Sequence, residues 1–258
     1  MMNEKIQADI ARFRSILQHI SVSYKHIRDE DIEGYVADVE AILAEKCNIE
    51  ERFPAIACGA FKECYSLNED FVIKFASECN DTNSEEALLH NAVESEVAEI
   101  FLPTWYCYLE SRGPNLFMLD EDASGQCYYN YENHTYVENP DYTSQRADCI
   151  IIQPRILRIV SDMEYLTLPR NGLDYDKAPI VDMEDNKVDF RTAYSFCVSS
   201  QTWLQDIVDV YGFEFFNRLA EFLKDNEVHD LHTGNIGYYA RKDGKIIPVI
   251  FDCLSSSW

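Results

Sequence analysis

Apolar residues recur at helical spacing from the beginning of the chain. Ile6, Ile10, Phe13, Leu17 and Ile20 mark one face of a helix over about 3–20, and Ile32, Tyr35, Val36, Val39 and Leu43 mark a second over about 29–46. The period then changes. Residues 54–66 and 70–76 are dense in β-branched and aromatic side chains and read as strands. A helical stretch over about 84–101 follows, opening on Ser84-Glu85-Glu86. Ser84 can cap it, and acidic residues suit a helix N-terminus. Pro103 closes that helix, and 105–109, 116–119 and 149–156 read as further strands. Between them, about 120–148 lacks a helical period and carries Ser124-Gly125 and Asn139-Pro140, the signature of an inserted hairpin or loop. A second irregular stretch, about 161–189, holds Pro169, Asn171-Gly172 and Pro179. Helices return at about 190–210 and 212–226. Residues 237–240 and 246–251 then form a hairpin turning at Asp243-Gly244.

Within this framework a few polar residues stand where packing alone does not call for them. Lys74 lies inside the apolar run Phe71-Val72-Ile73-Lys74-Phe75-Ala76, and burying an ammonium without a partner is costly. Leu88, Leu89 and Ala92 fall at i+3, i+4 and i+7 from Glu85, so Glu85 shares their face; a strand lysine would pair with such a residue. Glu86, one position on, is the alternative. Near the C-terminus stands His229-Asp230-Leu231-His232-Thr233-Gly234-Asn235, and Asp252 ends the next apolar strand but one. An Asp, an Asn five residues later and a second Asp beyond a hairpin make the layout of a phosphoryl-transfer site. Such chemistry needs oxygen ligands converging on Mg²⁺ and one carboxylate facing the incoming hydroxyl. His229 and His232 lack a third ligand at zinc spacing.

On these residues the chain resembles the protein-kinase-like superfamily in a divergent, minimal form. The run from Asp230 to Asn235 is closer to the aminoglycoside-phosphotransferase and small-molecule-kinase branch than to the eukaryotic His-Arg-Asp branch. It also resembles short kinase-like proteins of bacterial and phage origin. The resemblance covers roughly residues 54–258. It implies that Lys74 binds the α/β-phosphates of ATP, that Glu85 orients Lys74, that Asp230 is the catalytic base, and that Asn235 and Asp252 hold Mg²⁺. Gly59, Ala60, Phe61 and Lys62 stand where a glycine-rich loop covers the nucleotide, and the segment 150–156, with Gln153 and Arg155, looks like the strand and hinge that take an adenine through backbone groups.

The chain departs from the pattern in three places. Gly59 is the one glycine of its loop, Cys253 follows the metal Asp, and no Ala-Pro-Glu segment follows Asp252. The last departure argues for a non-peptide or atypical protein acceptor. The fold expected is α+β and two-lobed, with a small antiparallel-sheet lobe, a truncated helical lobe and an N-terminal helical extension. Its parts are 1–50 as the extension, 51–156 as the sheet lobe and 157–258 as the lobe with the catalytic and metal-binding loops.

Charge and cysteines narrow the classes. The 258 residues carry 46 acids against 22 bases, a net charge of −24, with no basic stripe to neutralise phosphates. This argues against nonspecific binding to nucleic acid or to an anionic membrane, and it suits a basic protein partner. Nine cysteines form no Cys-x-x-Cys pair, and the N-terminus has no signal-peptide pattern, so reduced thiols and a cytoplasmic location are expected. The leading expectation is an ATP- and Mg²⁺-dependent phosphotransferase, with AMP transfer as a variant. Two other classes stand beside it: a pseudokinase or regulatory binding protein, and an acidic interaction inhibitor, including a DNA mimic.

Overall fold

The computed structural model describes residues 3–45, 48–58, 62–76, 79–111, 127–130, 134–138, 149–160, 180–181, 187–188, 201–228, 231 and 233–253. The chain is a mixed α+β protein whose contacts divide it into two units. One comprises Met1–Cys79 with Thr104–Gln153, the other Asn80–Pro103 with Pro154–Trp258. Residues 80–103, which the linear reading keeps with the sheet, therefore cluster with the C-terminal part of the chain.

The first unit is built on a five-stranded sheet. Its strands are β1 (Ala55–Cys58), β2 (Lys62–Ser66), β3 (Phe71–Ala76), β4 (Trp105–Tyr108) and β7 (Cys149–Pro154), in the order β1-β2-β3-β7-β4. Two helices, α1 (Glu4–Tyr24) and α2 (Asp29–Glu45), cover one face of it. Their apolar stripes, including Phe13, Leu17, Ile20, Val36 and Val39, form one core with Phe71, Ile73 and Phe75 of β3, with Cys107 and with Ile150 and Ile152. Side chains alternate along a strand. Val72, Lys74 and Ala76 consequently point to the opposite face, where Ala76 packs with Cys149, Ile151, Tyr106 and Tyr108. β3 and β7 are interior strands of the sheet and are buried at every position rather than at every second one. Asn3 caps α1, its side chain accepting the Lys5 N–H.

One polar residue lies on the buried stripe of α1. Asp9 is 1 % exposed, four positions before Phe13. Its carboxylate accepts the backbone N–H groups of Glu110 (2.8 Å) and Ser111 (3.0 Å) and the Ser111 hydroxyl (2.7 Å), while Arg12 donates to it from the same helix. The helix is thus tied to the end of β4 by a carboxylate in place of an apolar contact. Burial pushes the neighbouring Cys107 thiol up to about 12, with the negative charge of Asp9 as a lesser cause. Asp9→Ala leaves these donors without their acceptor and is expected to lower stability by about 2–3 kcal/mol, read from the midpoint of a urea unfolding curve.

Within the inserted stretch, β5 (Cys127–Asn130) and β6 (Thr135–Glu138) pair as an antiparallel hairpin. The strand expected at 116–119 lies outside the described residues.

The second unit contains α3 (Cys79–Glu94), α4 (Gln201–Tyr211), α5 (Phe213–Asp225) and a three-stranded sheet. That sheet has the order β12-β11-β8, from β8 (Arg158–Ile159), β11 (Ile236–Ala240) and β12 (Ile246–Ile250). A short pair, β9 (Ile180–Val181) with β10 (Lys187–Val188), falls in the irregular stretch. The core joins Trp203, Ile207, Phe216 and Leu219 to Ala92, Val97 and Ile100 and to Ile236.

α3 differs from its expected span at both ends. It begins five residues before Ser84, which therefore lies inside the helix and is not its cap. It stops at Glu94 because Glu96 adopts φ 57° and the Val97 N–H returns to the Ala92 carbonyl, 2.9 Å away, the six-to-one closure of a Schellman ending. Glutamate in that left-handed position is uncommon, so no glycine announces the stop. α5 ends the same way: Glu227 has φ 48° and the Val228 N–H bonds the Leu223 carbonyl. This closure delivers the chain to the loop that precedes β11.

Candidate functional site

In the second unit, the hairpin of β11 and β12 fixes two of the candidate residues. The register pairs Ile236 with Ile250 and continues through Tyr238 with Pro248 to Ala240 with Ile246. Gly244, at φ 82°, makes the turn. Asn235 precedes one strand and Asp252 follows the other, so the hairpin brings them to the same end. The Asn235 carbonyl accepts the N–H groups of Phe251 (3.1 Å) and Asp252 (3.4 Å). Asn235 is buried and Asp252 half-buried. These bonds hold the two residues adjacent through their backbones; an amide oxygen and a carboxylate are donor types that a hard cation such as Mg²⁺ takes.

The base of this hairpin is tightly held. Gly237 pairs with both Val249 and Ile159. A Cβ at Gly237 would stand 2.4 Å from the Arg158 carbonyl oxygen. The Gly237 carbonyl accepts the Trp203 indole N–H at 3.1 Å, tying α4 to β11. Beside it, the Tyr238 hydroxyl donates to Asp206, and the Arg158 guanidinium lies 4.4 Å from the centre of the Tyr238 ring. Burial, and then the bond to Asp206, pushes the Tyr238 hydroxyl well above the usual phenol range. These groups are structural supports of the hairpin, and Trp203 and Asp206 carry no sequence signal beyond the amphipathic period of their helix.

α3 belongs to the same unit. Its register buries Glu85 to 3 % exposure on the face of Leu88 and Ala92, and leaves Glu86 exposed. Arg155 is half-buried.

In the first unit, Lys74 is 6 % exposed at the centre of β3, on the sheet face turned away from α1 and α2. Its cross-strand partner is Cys64 of β2, which faces Ala57 of β1 in turn. Small side chains thus line the row on which the lysine stands. Lys62 opens β2 opposite Ala76 and is half-buried. Gln153 is buried at the end of β7, and its side-chain amide donates to the Thr104 hydroxyl at 2.7 Å. That amide is engaged by the protein itself.

Gly59, Ala60, Phe61 and Asp230 lie outside the described residues, as do His229 and His232. Among the described residues, no group of three His, Cys, Asp or Glu side chains could hold a metal ion. The candidate metal set contributes a single carboxylate, Asp252, to such a count, its described partner Asn235 being an amide. No helix among the described residues is long and apolar enough to cross a membrane. Compared with family models and with curated proteins, the chain matches none.

Proposed function

We propose that this protein is an ATP- and Mg²⁺-dependent phosphotransferase with a kinase-like, two-lobed organisation, acting on a non-peptide or atypical protein acceptor. The observation that carries the reading is the hairpin register that sets Asn235 beside Asp252. A hairpin serving only to pack has no need of an amide and a carboxylate at its open end. Lys74 supports the same reading from the other unit. It stands on the third strand of an antiparallel sheet, buried, with a helix carrying the buried Glu85 next in sequence. Protein kinases place their nucleotide lysine on the third strand and its glutamate partner on the following helix.

In this reading Lys74 binds the phosphates, Glu85 orients Lys74, and Asp230 accepts the proton of the acceptor hydroxyl. Mg²⁺ would be held by Asn235 and Asp252, where it neutralises charge on the transferring group. Catalysis is then mainly positioning and electrostatic stabilisation. Lys62, at the start of β2, adds a positive charge to a chain whose net charge is −24.

Calorimetric titration of ATP into the wild-type protein is the test. Heat of binding that depends on Mg²⁺ is the expected result. A titration without binding, with and without the ion, would remove the phosphotransferase reading.

A further inference from the structure

A cavity of about 730 Å³ opens between α1 and β4. β4 is the last strand in the order β1-β2-β3-β7-β4, so among the described residues the cavity adjoins the edge of the sheet. It lies wholly within the first unit. None of the residues assigned to the nucleotide or to the metal lines it.

One wall is aromatic. Tyr106 and Tyr108 stand on either side of Cys107 in the strand and therefore share a face. Their rings stack, with centroids 6.2 Å apart and planes 10° from parallel. The other wall is α1, from which Lys5, Arg12 and Ser15 line the cavity. Lys5 and Arg12 are seven positions apart, two turns along one flank of the helix. Charge is unevenly divided between the two helices of this unit. α1 holds three bases against two acids, and one of those acids, Asp9, is buried; α2 holds seven acids and no base.

The lining is rich in donors. The Lys5 ammonium offers three and enters no ion pair among the described residues. The Arg12 guanidinium offers five. It donates to Asp9 at 3.3 Å, to the Tyr108 carbonyl at 3.2 Å and to the Glu110 carboxylate. Against these donors the lining has one carboxylate, that of Glu110. Both Glu110 and Lys5 are exposed. A pocket of this size with a few convergent polar groups and an aromatic wall suits a small ligand, and an excess of donors selects an anion. The Glu110 carboxylate, seated on Arg12, stands where the carboxylate of such a ligand would stand.

We propose that this cavity binds a small organic anion, a carboxylate on an aromatic body. Lys5 and Arg12 hold the carboxylate, the Tyr106–Tyr108 pair takes the ring, and Glu110 competes with the ligand for Arg12. Two exposed side chains should then act with opposite sign.

Phenylacetate is the probe, with phenylacetamide as its uncharged counterpart and acetate as the anion without a ring. Binding to wild type, Lys5→Met and Glu110→Gln is measured by ligand-observed NMR, with melting curves recorded for each. Physiological salt is used, where exposed charges beyond about 8 Å are largely screened. Phenylacetate is expected to bind wild type roughly tenfold more tightly than either control. Lys5→Met should weaken it by about fivefold, and Glu110→Gln should strengthen it by about the same factor, as fits an exposed ion pair. Equal affinity for phenylacetate and phenylacetamide would overturn the proposal, since no cation would then be reading the ligand. Equal affinity for phenylacetate and acetate would overturn it by removing the aromatic wall. A shift of the same sign in both variants, or in neither, would place the ligand elsewhere and overturn it too. A wild type that binds none of the three has no such site. None of these results bears on the titration of ATP, so the two proposals fail separately.

Discussion

Lys74→Met and Asp252→Asn are each expected to weaken ATP binding in the presence of Mg²⁺ by roughly 10- to 100-fold, but with different dependence on the ion. A hydrogen bond to a charged group is worth about 1.5–3 kcal/mol, and each 1.4 kcal/mol is about tenfold in Kd. Lys74 would act on the phosphates directly, so its loss should weaken ATP with or without Mg²⁺. Asp252 would act through the ion, so Asp252→Asn should remove the Mg²⁺-dependent part and leave the remainder intact. Methionine is chosen at position 74 because it fills nearly the same volume in a strand that is buried throughout. A variant whose affinity matches wild type under both conditions would take its residue out of the site. If Asp252→Asn weakened ATP equally with and without the ion, Asp252 would not be a metal ligand.

Gly237→Ala is expected to be among the most destabilising single changes in the second unit. The added Cβ would meet the Arg158 carbonyl oxygen at 2.4 Å, and that atom is backbone, unable to rotate aside. Either β8 moves away from β11 or the Gly237 carbonyl shifts away from Trp203. Overpacking of this kind costs about 1–3 kcal/mol, or roughly 2–12 °C in melting temperature for a chain of this size. Gly34→Ala provides the contrast. Gly34 is an exposed position in α2 with nothing within 4 Å of an added Cβ, so alanine there should raise stability by about 0.5–1 kcal/mol. Thermal unfolding of the two variants beside wild type decides the matter. A Gly237→Ala protein that melts with wild type would mean that β8 accommodates the methyl without cost.

The parts of this fold set by period alone are visible in the amino-acid order. The apolar stripes of α1 and α2 and the strands flanking Lys74 follow from side-chain spacing. The nearness of Asn235 and Asp252 follows from a hairpin whose turn, Asp243-Gly244, fixes the register between them. Features that depend on pairing between distant segments are not visible. Asp9 sits on an apolar face as an apparent irregularity until Glu110 and Ser111, about a hundred positions later, supply its donors. Thr104 and Gln153 become partners only once β4 and β7 are set in register. The C-terminal end of α3 is not visible in the order because a glutamate, Glu96, takes the left-handed position where a glycine would have given the signal. Glu85 and Glu86 cannot be told apart from order alone, since one residue of helix rotation exchanges the buried and exposed faces.

The core beneath α1 and α2 sets an order of events during synthesis. Phe13 and Leu17 leave the ribosome early, yet they pack against Ile150 and Ile152, and residues 80–103, which lie between them in the chain, belong to the other unit. At the usual pace of translation, the apolar stripe of α1 waits on the order of ten seconds for its last partners. Through that interval the nascent chain presents a helical pair whose buried face has no sheet to cover it. The acidic first turn of α2, Asp29, Glu30 and Asp31, lies in that same early segment and gives it the charge that favours solubility.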